Sequence, residues 1–348
     1  MRRILWEITT RCNLRCRHCY LHNELVSPSV ELEDELGTQE CLNIVEQFDK
    51  ANVFLVEVVG GGEPFVRPDI MIILRHLGEK RFWTKVVTNG TLIDETIARD
   101  LADMRIQRIA VSLEGPSPEI NDFIRGKGAF GKALKGINHL RDFGIPFRIQ
   151  MTVNNMNYQT LEDMVKFCID LDAEELSLNP YVDCPSTNPF CTSLSLGREE
   201  YFLAAKNISE VKKKYSPEFV CSDIDSALVF LSDNPEEASR EKGFHRCDCV
   251  TSQLTVLYNG NVLPCPLMRD QVLGNLMETP LSEVPKLPQF KKFKKLYSAS
   301  VDESIEECRT CEWKSVCGGG CRGRAYLATH DYLAPDPQRC LLAKGEFH

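Results

Sequence analysis

The sequence predicts an α/β protein: a partial barrel of six β/α units followed by a cysteine-rich C-terminal domain. Three observations predict it. Strand-like and helix-like segments alternate six times over the first two thirds of the chain. That order argues for a parallel sheet with helices outside, and right-handed crossovers would curl it. Residues with unusual chemistry fall just after the expected strands, where the working loops of such barrels sit. The sixteen cysteines are concentrated near the N-terminus and in the last hundred residues.

Strands are expected at residues 3–9, 53–60, 84–88, 108–113, 147–153 and 175–179, each a short apolar run rich in β-branched residues. Helices are expected at 38–51, 68–81, 94–104, 129–143, 160–171 and 197–215, with Thr38 and Pro68 as start signals. The periodicity breaks near Ser216, and residues 216–246 read as a bridge of mixed helix and loop. Beyond it lies a hairpin, 254–258 and 261–265, around Asn259-Gly260, a pair that suits a tight primed turn. A lysine-rich helical stretch follows at 290–296. The expected organisation is a barrel at 1–215, the bridge at 216–246 and the cysteine-rich domain at 247–348.

The chain has 348 residues, 43% apolar and 26% charged, as in ordinary soluble globular proteins. The net charge of −9 argues against a nucleic-acid partner. No apolar run reaches the ~18–20 residues of a membrane span. The opening MRRILWEITTRCN lacks an apolar core followed by a cleavage site, so a cytoplasmic protein is expected. Without an export signal, short clustered cysteine spacings point to metal or redox work rather than to disulfides.

Cys12, Cys16 and Cys19 have CxxxCxxC spacing. Three thiolates on one loop can hold three irons of a [4Fe–4S] cube and leave the fourth open to an amine and a carboxylate. A partial zinc site is the alternative, but it would want a fourth ligand, and His18 lies between the cysteines rather than beyond them. The string CNLRCRHCY resembles the signature of the radical S-adenosylmethionine (SAM) superfamily. Residues 60–64, GGGEP, resemble the family's second motif, which implies that Gly61, Gly62 and Glu63 meet the methionine amino group of the cofactor. Glycines let backbone come close, and an acid can pair with an ammonium. Residues 110–115, AVSLEG, resemble the fourth-strand motif, which implies that Ser112 bonds near the ribose or carboxylate. By the same resemblance Arg125 would pair with the methionine carboxylate, and Asn154 would be a polar cofactor contact. The resemblance implies a mechanism. A reduced cluster passes one electron to the sulfonium, a 5′-deoxyadenosyl radical forms, and that radical takes a hydrogen atom from substrate.

The later cysteines resemble the SPASM extension of many such enzymes, in which two auxiliary [4Fe–4S] clusters are usual. Carried over by position, Cys308, Cys311, Cys317 and Cys340 would hold the outer cluster. Cys265 and Cys321 would help hold the inner one, with Cys247 and Cys249 as its remaining candidates. Either both are ligands, or one iron stays open to substrate. A pair of zinc sites is the alternative. The complete expectation is a partial (β/α)6 TIM-like barrel with an auxiliary iron–sulfur domain, SAM and three clusters. Cys41 and Cys168 read as buried apolar residues. Cys184, Cys191 and Cys221 read first as loop thiols, although a thiol after strand six could return a hydrogen atom to a substrate radical.

Enzymes of this architecture most often modify ribosomal peptides, so crosslinking, epimerisation or oxidation of a peptide is the first expectation. The sulfatase-maturing branch fits less well, because Pro266 rather than an acid follows Cys265. The chain enters strand one at once, so a separate peptide-recognition protein is an expected partner. An electron donor such as flavodoxin or ferredoxin is another. The alternative is oxidation or decarboxylation of a tetrapyrrole or other small carboxylate. A non-catalytic iron–sulfur scaffold is the third reading.

Overall fold

The computed structural model describes residues 2–184, 188–190, 193–222, 224, 248–298 and 304–344. Cys191 and Cys247 lie outside these residues. Seven strands run parallel in sequence order: β1 (Arg3–Thr9), β2 (Leu55–Gly61), β3 (Trp83–Thr88), β4 (Arg108–Ser112), β5 (Phe147–Val153), β6 (Leu176–Pro180) and β7 (Val220–Ser222). Helices α1 (Thr38–Lys50), α2 (Ile70–Gly78), α3 (Glu95–Ala102), α4 (Pro118–Arg125), α5 (Ala129–Asp142), α6 (Leu161–Asp170) and α7 (Arg198–Lys214) join them.

Strand alternation decides what faces what. Ile4, Trp6 and Ile8 of β1 are fully buried in the main apolar core, with Trp6 edge-on to Phe48 of α1 at 5.4 Å. Such an aromatic pair adds about 1 kcal/mol beyond area burial. Several of the alternate positions carry charged residues. Glu57 of β2 bonds Arg3 (2.6 Å) and Lys85 (2.9 Å), while Glu175 beside β6 bonds Arg108 (2.6 Å) and Arg148 (2.8 Å). Arg3, Lys85 and Arg108 all lie at or near the starts of their strands, so ion pairs fill that end of the sheet. The strand ends opposite are left for the site.

Several boundaries differ from those expected. The bridge begins with a strand: β7 pairs with β6, so the sheet runs past residue 215. A three-residue strand with one buried position carries no periodicity to read. Helix α4 was also not expected; its eight residues start at Pro118, after the N-cap Ser117, between an expected strand and an expected helix. The hairpin consists of β8 (Gln253–Val256) and β9 (Asn261–Leu263), with β10 (Gly274–Asn275) added. Its turn is not the two-residue primed form. Gly260 has φ +83°, Asn259 has no positive φ, and the Gly260 N–H donates to the Leu257 carbonyl at 3.0 Å. That is a three-residue loop with glycine in the left-handed position. Nor is the hairpin separate from the sheet: β8 pairs in parallel with β1, giving one ten-stranded sheet.

Candidate functional site

The loop after β1 carries Cys12, Cys16 and Cys19, and other segments hold it firmly. The Cys12 N–H donates to the Val26 carbonyl (3.0 Å) and the Arg17 N–H to that of Ile124 (2.8 Å). The Asn188 amide donates to the carbonyls of Arg17 (2.6 Å) and Cys19 (3.0 Å). All three cysteines line one cavity of about 260 Å³ at the C-terminal strand ends. Burial pushes each thiol up to about 12. Thiols in such surroundings give up their protons to a metal rather than to water.

These three residues fit a cluster better than a single ion. Among the described residues, no three His, Cys, Asp or Glu side chains converge as one metal ion would need. Cys12, Cys16 and Cys19 stand around a space instead. In a cube each thiolate binds its own iron, so this is the expected disposition, whereas tetrahedral zinc draws its ligands to one point.

The glycine turn after β2 packs directly on this loop. The Gly62 N–H donates to the Thr9 carbonyl and the Glu63 N–H to that of Arg11, both at 2.8 Å. A Cβ on Gly62 would lie 2.0 Å from the Arg11 carbonyl oxygen, and Gly61 has φ +63°. Backbone contact this close admits glycine alone. Glu63 is 1% exposed. Its carboxylate accepts from the Thr88 hydroxyl (2.7 Å), the Asn89 N–H (2.7 Å) and the Phe65 N–H (3.3 Å). Burial pushes its carboxyl up to about 7, with those donors pulling the other way. Glu63 therefore joins the β2 turn to the end of β3 while still lining the cavity.

Ser112, at the end of β4, lines the same cavity, as do Gln150 and Thr152 on β5. Arg125 lines it from the end of α4. Its guanidinium bonds the fully buried Glu114 through Nε (3.0 Å) and Nη2 (2.5 Å). Burial opposes the Arg125 charge, but the Glu114 carboxylate outweighs it. Glu114 also accepts from the Thr152 N–H (2.9 Å) and lies 3.3 Å from His18 Nε2. Burial drives the His18 ring down to about 4, so it is neutral at pH 7. Sequence reasoning missed Glu114, although it stands inside the motif that drew attention to Ser112.

Asn154 corrects the expectation. It does not line the cavity, and its side chain is taken up by the local turn. Nδ2 donates to the Thr152 carbonyl and Oδ1 accepts from the Met156 N–H, both at 2.9 Å. An asparagine ending a strand often closes such a turn.

Cys308, Cys311, Cys317 and Cys340 line a second cavity, of about 500 Å³. Cys321 does not line it; burial pushes its thiol up to about 11, and Cys265 adds to that as a charged neighbour. Gly323 packs on Cys265: a Cβ there would be 3.1 Å from Cys265 Sγ. Cys249 is buried in the main core. Asp336 fixes this region, accepting from the Cys321 N–H (2.6 Å) and from Arg324 Nη2 (2.6 Å). Among the remaining thiols, Cys41 and Cys168 are buried in the core as expected, Cys184 is buried against the Val182 carbonyl (3.5 Å), and Cys221 is exposed.

A link between the two halves was not foreseen. Arg269, four residues after Cys265, bonds the fully buried Glu7 of β1 (2.7 Å) and Glu24 (2.5 Å). Tyr20, next to Cys19, donates to Glu7 at 3.2 Å.

Known proteins resemble this chain in sequence and in fold. Residues 6–168 match the model of the radical SAM superfamily, and residues 247–312 match the SPASM iron–sulfur cluster-binding domain. The AdoMet-dependent heme synthase of Methanosarcina barkeri is 29% identical over 99% of this chain and 97% of its own. The mycofactocin maturase MftC of Mycobacterium ulcerans is 26% identical over 98% and 88%. Streptococcus suis SuiB, solved with its precursor peptide SuiA, shares the fold with a TM-score of 0.77 at 18% identity, covering 97% of this chain and 75% of SuiB. No helix among the described residues is long and apolar enough to cross a membrane. The chain belongs to the radical SAM superfamily and is a SAM-dependent radical enzyme with a C-terminal SPASM domain.

Proposed function

We propose that Cys12, Cys16 and Cys19 hold a [4Fe–4S] cluster at which SAM is bound, and that the chain removes hydrogen from a ribosomally made peptide. One observation carries the site assignment: the three cysteines, the glycine turn, Ser112 and Arg125 arrive from four different segments and line one cavity. When loaded, the cluster supplies one electron to the sulfonium of SAM and so provides the radical that starts the reaction. The chain's own residues bind, orient and shield. Carbonyls of the glycine turn and the Glu63 carboxylate would receive the methionine ammonium. Arg125, held charged by Glu114, would meet the methionine carboxylate, and Ser112 would bond the ribose or carboxylate. Gln150 and Thr152 would take the place in this list that Asn154 does not fill.

The second cavity supports an outer auxiliary cluster on Cys308, Cys311, Cys317 and Cys340. Cys265 and Cys321, with Cys249 and Cys247, are proposed for the inner one. Sites this rich in thiolate need a reducing compartment, and we place the enzyme in the cytoplasm.

The peptide reading is supported by near full-length relatives named mycofactocin maturase MftC and PqqA peptide cyclase, at 26–27% identity. A second reading, oxidation of a tetrapyrrole, is favoured by full-length relatives named heme synthases at 27–29% identity. Deuterium transfer decides between them. The enzyme is reduced with dithionite and given SAM and either a deuterated candidate precursor peptide or a deuterated iron porphyrin bearing propionates. Deuterium in 5′-deoxyadenosine from the peptide alone supports the first reading, and from the porphyrin alone the second.

A further inference from the structure

We propose that the outer face of the cluster loop, Arg15 and Arg17 with Phe123 and Phe190, is the docking surface for an acidic one-electron carrier protein. The inference rests on the cluster assignment to Cys12, Cys16 and Cys19. Its first support is charge. The whole chain carries −9, yet residues 11–22 hold three arginines and no acid. Arg11 is neutralised by Glu35. Arg15 and Arg17 are exposed, and neither has a carboxylate partner among the described residues. Arg15 instead donates to carbonyls of its own loop, those of Cys12 (3.1 Å) and Leu14 (2.9 Å). The nearest acid on α4, Asp122, is turned onto the N–H groups of Gly128 (2.6 Å) and Phe130 (2.8 Å).

The second support is the apolar frame. The Arg17 guanidinium lies 4.2 Å from the ring centre of Phe123 and 5.6 Å from that of Phe190. Both rings stay well exposed, at 41% and 39%. His22 meets Phe190 edge-on at 5.4 Å. A cation stacked between exposed aromatic rings is a typical centre for a transient protein contact. Position is the third support. Cys16 lies between Arg15 and Arg17 in sequence, and His22 Nδ1 contacts its carbonyl at 3.1 Å. A carrier seated there approaches the cluster from outside, leaving the cavity to SAM and substrate. In the transfer, an anionic flavin hydroquinone is oxidised to the neutral semiquinone, the cluster gains one electron, and no proton moves.

The test uses the full, cluster-loaded enzyme and reduced flavodoxin as probe, following 5′-deoxyadenosine. Wild-type turnover driven by flavodoxin should fall as salt rises. In Arg15→Glu/Arg17→Glu it should drop at least about tenfold and lose most of its salt dependence, since steering by charge changes association at least that much. Turnover driven by dithionite should match wild type, which shows that the variant is folded and loaded. Phe123→Ala should weaken flavodoxin binding in a direct titration. Equal flavodoxin-driven rates in wild type and double variant would overturn the proposal. So would a raised KM for a peptide substrate under dithionite, which would make this face a substrate surface. Failure of the cluster assignment would look different: no product from wild type even with dithionite.

Discussion

Glu114→Ala should be among the most damaging single changes in the barrel. Glu114 is fully buried and receives two N–H groups of Arg125 and the backbone N–H of Thr152. Removing it leaves a buried guanidinium without its counter-charge. Breaking a buried pair from one side costs about 3–5 kcal/mol, and an orphaned N–H adds about 1–3 kcal/mol. Partial relaxation toward the cavity makes a net loss of about 4 kcal/mol reasonable, a large share of the ~5–15 kcal/mol that holds a typical domain together. Urea unfolding of cluster-free protein measures it. The double variant Glu114→Leu/Arg125→Met should recover the part of that loss due to the stranded charge, because an apolar pair replaces a buried ion pair at little cost, and leave only the Thr152 N–H unpaired. It should nevertheless bind SAM at least about tenfold more weakly after reconstitution, the loss of one charge-assisted contact. A loss under about 1 kcal/mol for Glu114→Ala would refute the reasoning, as would wild-type SAM affinity in the double variant.

Other perturbations follow from the same contacts. Gly62→Ala would place a carbon 2.0 Å from the Arg11 carbonyl oxygen, so the β2 turn must part from the cluster loop. Iron at the first site, read by electron paramagnetic resonance, should fall well below half of wild type. Glu63 has a folded pKa raised from 4.5 to about 7. Its stabilising contribution is therefore complete below pH 4.5 and is lost as pH rises to about 7, a change of about 3 kcal/mol. Urea titrations of a cluster-free Cys12→Ala/Cys16→Ala/Cys19→Ala protein should show that fall, and Glu63→Gln on that background should flatten it. Arg269→Met should cost about 3–5 kcal/mol in unfolding experiments, because it strands the buried Glu7 carboxylate between the two halves. Asp336→Ala should lower auxiliary-cluster iron while sparing the first site, since Asp336 holds the Cys321 N–H and Arg324 together.

The legible parts of this molecule are those with a strong local signal. Six strands and the helices other than α4 declared themselves because Ile4, Trp6 and Ile8, or Ile44, Val45 and Phe48, repeat at the period of their element. The first three cysteines and the glycine turn were legible because such close backbone contact tolerates few residue types. Other features depend on distant partners. Glu114 looks like any acid in a loop until Arg125, eleven residues on, folds back to it. Asn154 carried a polar side chain at a strand end, but its amide closes its own turn. Nothing near Arg269 in sequence announces Glu7, and the pairing of β8 with β1 joins residues some 250 positions apart.

The central claim is that three clusters are present and that the one on Cys12, Cys16 and Cys19 serves SAM cleavage. Anaerobic reconstitution, iron and sulfide counting, and incubation with dithionite and SAM test it directly in wild type and in the triple alanine variant. The account predicts about twelve irons and 5′-deoxyadenosine from wild type, three cubes of four irons each. It predicts about eight irons and no product from the variant. Stoichiometric zinc in wild type, or product formation that survives loss of all three cysteines, would contradict it.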